Sequence, residues 1–307
     1  MITSIFSKSK PINFVIVFFI TLLAFISART DLVFNSITVG FILKQLATFL
    51  LCGGTILVFS FIISKNNLTK KNSYDILLFS LFLLVFFHAT RNVDILLSNF
   101  FVLLGLRKLM SLRSQKSIKN KYFDAAFWIA IAAVFYFWAI LFFALILISL
   151  ILYTDNYLRH WIIPFAGVFT VFLIAVSISV VFYGGYFDIF KALPVVNYDF
   201  SVYNTVPYLV GITLLLSFGI WSSIFYLQNI KKKKKAFRAS FKIIIFAAII
   251  AFIIILLSPI KSGSEFLFAF APLAIIITNY IEIIEDKWFK ELFVSVLLLV
   301  PFVLLLL

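Results

Sequence analysis

One apolar run, residues 122–153, limits the fold of this chain more than any other stretch. It spans some thirty residues with a single charge, Asp124. A membrane-crossing helix needs roughly 20 residues, so the run is either one steeply tilted helix or two short helices folded back. Basic loops on either side discriminate between these. The loop before it carries Arg107, Lys108, Arg113, Lys116, Lys119 and Lys121 and no acid. The next basic anchor has five lysines at 231–235, then Arg238 and Lys242. Lys and Arg concentrate in cytoplasmic loops, so an even number of spans must separate the two anchors. Two further spans, near 161–183 and 207–229, lie between them. Counting the run once gives an odd total, and counting it twice restores parity. The sequence therefore predicts two helices that turn near residues 136–138. That turn has no polar side chain, so neighbouring helices must shield its backbone.

The rest of the chain fits this scheme. Hydrophobic residues make up 64 % of it, far above the roughly 45–50 % of soluble domains. No polar stretch is long enough for a separate soluble domain. The expectation is one transmembrane domain, residues 1–307. Its class is all-α and polytopic, with about eleven transmembrane helices, short folded-back ones included. The first span, 12–27, ends in FISARTD, a poor cleavage site, and reads as an uncleaved helix. Spans follow at about 46–64, 74–87 and 95–106, the last of them short. After the lysine cluster come spans at 243–257 and within 261–280, and a final one ending at Leu307. This places the amino end in the cytoplasm and the carboxyl end in the periplasm of a bacterial inner membrane. Of 26 Lys and Arg, 21 then fall inside, as the positive-inside rule expects.

Several function classes are disfavoured. The net charge of +14 sits in short loops beside anionic lipid, not on a nucleic-acid-recognition fold, so membrane lipid is the expected partner and nucleic acid is not. A single cysteine, Cys52, allows no internal disulfide. Two histidines, His88 and His160, make a histidine metal site improbable. No phosphate-cradling glycine loop, nucleophile elbow or zinc-protease helix occurs. No cofactor is implied. Asp124 is expected to offset the dipole at the start of its helix.

Candidate chemistry lies in the outside loops: Arg29, Asp31, His88, Arg91, Asp94, Asp188, Lys191, Asp199, Lys261 and Glu265. Each alone reads most simply as a solvated loop residue. Together, carboxylates beside cations at a membrane surface suit transfer of a sugar from a lipid phosphate. A carboxylate can deprotonate the acceptor hydroxyl, and Arg or Lys can hold the departing phosphate.

An outside acid after the first span, a short fourth span, a basic loop and a folded-back pair together resemble the GT-C class of integral-membrane glycosyltransferases. KSGSEFLFAFAPLAIIITNY (261–280), with Pro272, is similar to the late segment of that class, where a basic residue precedes a proline-containing helix. The resemblance, one of layout over residues 11–280, implies a polyprenyl-phosphate-linked donor. It casts Asp31 as catalytic acid and Lys261 as a phosphate contact. Arg29, Arg91, Asp94 and Lys191 join Lys261 as candidate phosphate- or substrate-binding residues. The chain also looks like a multi-pass membrane family of Bacteroidota. Two alternatives stay open: a non-catalytic membrane subunit or assembly partner, and a transporter of lipid-linked material. Paired ionisable residues at mid-membrane would mark the transporter, and these are nearly missing.

Overall fold

The structure, a computed structural model, describes residues 2–30, 38–153, 158–189 and 195–306. Among the described residues the regular structure is helical, with no strand. Six helical segments among the described residues are long and apolar enough to cross a membrane by length and composition: Val39–Asn66, Val93–Ser114, His160–Tyr183, Val206–Ile230, Lys235–Leu257 and Ser264–Ile283. Shorter apolar helices cover Pro11–Ser27, Tyr74–Val85 and Phe137–Tyr153. The chain is a multi-pass helical membrane protein. Its contacts divide it into two compact units.

The first unit comprises Met1–Leu96, Asp199–Lys232 and Lys261–Leu307. Its helices are α1 (Ile2–Phe6), α2 (Pro11–Ser27), α3 (Val39–Asn66), α4 (Tyr74–Val85), the start of α5 (Val93–Ser111), α9 (Val206–Ile230), α11 (Leu267–Ile283) and α12 (Lys287–Leu304). At its centre α4 packs against α11, and α2, α3, α9 and α12 surround this pair. All twelve residues of α4 are buried, as is α11 from 267 to 281. The α4 sequence, YDILLFSLFLLV, has no polar face, the mark of a helix enclosed on all sides. Phe79 and Phe82 of α4 and the adjacent Phe86 bring their rings within 6.0, 5.8 and 6.1 Å of Phe270 on α11. A polar tie crosses this core. Asn279 Nδ2 donates to Leu68 O at 2.9 Å, beside the left-handed Asn67 that ends α3.

The second unit comprises Leu97–Tyr198 and Lys233–Ile260. It holds most of α5, then α6 (Ile118–Phe135), α7 (Phe143–Tyr153), α8 (Leu158–Tyr183) and α10 (Lys235–Leu257). The long apolar run breaks as its length required. α6 ends at Phe135, Tyr136 is extended (φ −145°, ψ 105°), and a 3-10 turn over Phe137–Phe142 leads into α7. The arms fold back on each other, since Tyr122 Oη donates to Ser149 O at 3.2 Å across the hairpin. The turn has a polar anchor after all: Tyr136 Oη donates to Ser258 Oγ at 2.8 Å.

Three expectations need correction. The fourth span is not short; α5 runs from Val93 to Ser111, and its 3-10 extension reaches Ser114. Arg107 and Lys108 do not stop it, because Leu109, Met110 and Leu112 are buried. Lys108 meanwhile turns its ammonium to Asp124 at 2.6 Å. Asp124 therefore forms an interhelical ion pair. Its own helix begins at Ile118, so it lies too far in to serve the helix start. Finally, α3 begins at Val39, capped by Thr38, and α10 begins inside the lysine cluster at Lys235, so both exceed their expected lengths.

Candidate functional site

The polar residues of interest in the first unit gather where α2 ends, α5 begins and the loop before α11 turns. Arg29, two residues past the end of α2, is only 8 % exposed. Its Nη1 donates to Phe25 O at 3.1 Å and Thr90 Oγ1 at 2.9 Å, and its Nη2 to Thr90 O at 2.7 Å. Its Nε donates to Gln45 Oε1, and its carbon centre lies 3.5 Å from the Phe25 ring. Burial draws this guanidinium below its usual range, to about 10. It remains charged at neutral pH. Arg29 thus fastens α2 to α3 and to the Phe87–Thr90 turn.

Arg91 follows that turn. It is exposed, and its Nε donates to Ala28 O. Asn92 then caps α5, its Oδ1 accepting from the amides of Asp94 at 3.1 Å and Ile95 at 3.2 Å. Asp94 sits half-buried in the first turn of α5, where the helix dipole favours a carboxylate. The ends of α2 and α5 are therefore joined by two arginines.

The loop 261–266 completes the cluster. Gly263 has φ +83°, and a Cβ there would lie 2.8 Å from the Tyr208 ring, so only glycine fits. The bend lets Tyr208 Oη donate to Ser262 O at 2.9 Å and Ser264 Oγ donate to His88 O at 3.4 Å. Lys261 is 4 % exposed, with its ammonium 4.6 Å from the Phe200 ring centre, and burial lowers its pKa. Glu265 is fully buried. Its Oε2 accepts weakly from Ser262 N at 3.3 Å and Oγ at 3.4 Å, and its Oε1 has no hydrogen-bond partner among the described residues. Phe86 stacks on Phe266 at 4.4 Å and Tyr203 lies 5.6 Å from it, forming an aromatic wall beside the loop.

Of the residues singled out in the sequence, Arg29, Arg91 and Lys261 come to this one end of the first unit, linked through the 87–90 turn. Asp94 begins the helix beside them. Asp31 and Lys191 lie outside the described residues. In the sequence Glu265 is one of five outside acids, with no role of its own assigned to it. Its signal was the acid just before an apolar helix in KSGSEF, with a glycine two residues earlier to bend the chain. Among the described residues no cluster of three or more His, Cys, Asp or Glu could hold a metal ion.

Fold and site define a multi-pass helical membrane protein with a buried Lys–Glu loop against an arginine-fastened helix junction. The chain belongs to a family of unknown function, DUF6427, whose model matches residues 1–306. No curated protein and no solved structure matches it.

Proposed function

We propose that this end of the first unit binds a lipid-linked phosphate, and that the protein is a glycosyltransferase using a polyprenyl-phosphate-linked sugar at the periplasmic face of a bacterial inner membrane. The observation that carries the reading is the loop 261–266. It brings a buried lysine and a buried carboxylate against the turn that also bears Arg91. Cations beside aromatic walls, as Lys261 is beside Phe200, suit a phosphate on an apolar chain. In the reaction, the acceptor hydroxyl gives its proton to Asp31 as its oxygen bonds to the sugar C1. The bond from C1 to the phosphate oxygen breaks, and the lipid phosphate leaves against Lys261 and Arg91.

The test is complementation of a deletion strain, read together with accumulation of lipid-linked sugar. Asp31→Asn keeps shape and removes the base, so transfer should fall about 10²–10⁴-fold with expression unchanged. Lys261→Ala should weaken donor binding instead. Full complementation by Asp31→Asn, with no precursor build-up in the deletion strain, would refute the enzymatic reading. It would support the second one, a non-catalytic membrane subunit. One observation favours that alternative: Arg29 spends its donors on Gln45, Phe25 and Thr90, as a structural fastener does.

A further inference from the structure

The helices α2 and α3 run antiparallel. Arg29, just past the end of α2, reaches Gln45 near the start of α3, and Phe25 and Phe18 lie 5.2 and 5.6 Å from Phe49. Beside Phe14, Val17, Phe18 and Thr21 of α2 the space between the two helices is not filled. Between them lies a groove of about 320 Å³, walled by residues such as Phe14, Phe18, Thr21, Phe49, Gly53 and Leu57. That volume falls in the roughly 300–1,000 Å³ range of ligand pockets. The walls present almost no polar surface, because the Thr21 hydroxyl turns back to Val17 O at 2.8 Å. Gly53 borders this open space, since a Cβ there would meet nothing within 4 Å. The rim faces outward, with Phe18 49 %, Leu50 64 % and Leu57 60 % exposed.

The two ends of this helix pair differ in charge. At one end Arg29 is buried and turned inward to Thr90. At the other, α2 begins and α3 finishes, and three exposed lysines stand there: Lys8, Lys10 and Lys65. At 1.5 Å per residue, Lys10 lies about one helical turn from Phe14, and Lys65 about two turns from Leu57. An apolar slot that opens at a cationic rim matches a molecule with a hydrocarbon tail and a negative head. The headgroup level of a bilayer meets the ends of membrane helices, and lysines there attract anionic lipid. We propose that the α2–α3 groove is a binding site for one acyl chain of an anionic phospholipid, whose phosphate Lys8, Lys10 and Lys65 hold. The site is at the far end of α2 from Arg29 and is independent of the sugar-transfer reading.

Native mass spectrometry of the full chain in mild detergent, titrated with phosphatidylglycerol or phosphatidylcholine, tests this. The expected result is one tightly bound phosphatidylglycerol, preferred over phosphatidylcholine at least tenfold. The triple variant Lys8→Gln, Lys10→Gln, Lys65→Gln should weaken phosphatidylglycerol on the order of 10- to 100-fold and erase the preference. Gly53→Phe fills the groove and should abolish tight binding while helical content is retained. If that variant does not fold, Gly53→Leu replaces it. Equal affinity for the two lipids overturns the proposal, as does phosphatidylglycerol binding that survives either set of substitutions. A dimer of the wild-type chain that Gly53→Phe dissociates would also overturn it, because a second copy would then occupy the groove.

Discussion

In α11, 89 % of the apolar window within 264–283 is buried inside the protein, whereas in α8 only 22 % of the window within 160–183 is, although both are apolar enough to cross a membrane. In water an apolar face would report burial. In a bilayer the lipid tails are as apolar as a protein interior, so hydropathy cannot separate a helix wrapped by others from one that meets lipid. What separates them is the character of the minority residues. α11 carries Thr278 and Asn279 into the core, and Asn279 bonds the end of α3. α8 has small residues where it touches a neighbour: a Cβ on Gly167 would lie 2.8 Å from Phe123 O of α6. Polar ties and close backbone approach mark protein contact here, and large apolar side chains alone do not.

The largest expected effect tests the contrast directly. Phe270, 0 % exposed, meets three rings around it. Phe270→Ala should destabilise the protein by about 3–5 kcal/mol, because the cavity left behind loses packing that lipid cannot replace. Phe169 on α8 is 59 % exposed, and Phe169→Ala should stay within about 0.5 kcal/mol. Reversible unfolding in mixed detergent micelles measures both. Equal losses would break the comparison.

A smaller effect sharpens it. If the Gly167 face is the true contact of α8, Gly167→Val must push α8 away from a backbone carbonyl that cannot move aside. The expected loss is about 1–3 kcal/mol, on a helix whose large side chains can be truncated almost without effect. A neutral Gly167→Val would mean that α8 does not depend on this close approach. Next in size is the Lys108–Asp124 pair, whose side chains are 32 % and 37 % exposed. Lys108→Gln should lose about 0.5 kcal/mol or less, and the loss should shrink as salt rises. A double-mutant cycle with Asp124→Asn isolates the coupling.

How far the sequence foretold this structure depended on which physical signal was available. The break in 122–153 was legible because length and charge parity act over the whole chain, and neither depends on knowing neighbours. The end of α5 was not. Arg107 and Lys108 read as a stop, yet a long cationic side chain can lie along its helix and place its charge elsewhere, as Lys108 does against Asp124. The sequence reading grouped Arg29, Arg91 and Lys261 by assigning their loops to one membrane face, and the structure brings these three residues to one end of the first unit. The burial of Arg29 and Glu265 did not follow, since the partners that enclose them, Thr90, Gln45 and Ser262, carry no charge for the sequence to reveal. The enclosed position of α4 was available in principle: twelve residues without a polar face, with a buried aspartate, Asp75, in the first turn.

The smallest effect concerns charge at the mouth of α11, where the same enclosure that buries Phe270 also reaches Lys261. Burial lowers the pKa of this ammonium from 10.5, so between the lowered folded value and 10.5 the unfolded chain binds more protons than the folded one. Stability must then rise with pH across that window, because the charged form is the one the fold disfavours. Below the window the lysine is protonated in both states and its burial penalty is fully present; above 10.5 the penalty is gone. Lys261→Met removes the titrating group and keeps much of the apolar stem, so the variant should gain stability at neutral pH and lose this upward contribution toward pH 10. Melting temperatures from pH 7 to pH 10 measure the difference in slope. A variant with the wild-type slope would mean that the ammonium is solvated, and that the enclosure marking α11 stops short of the loop before it.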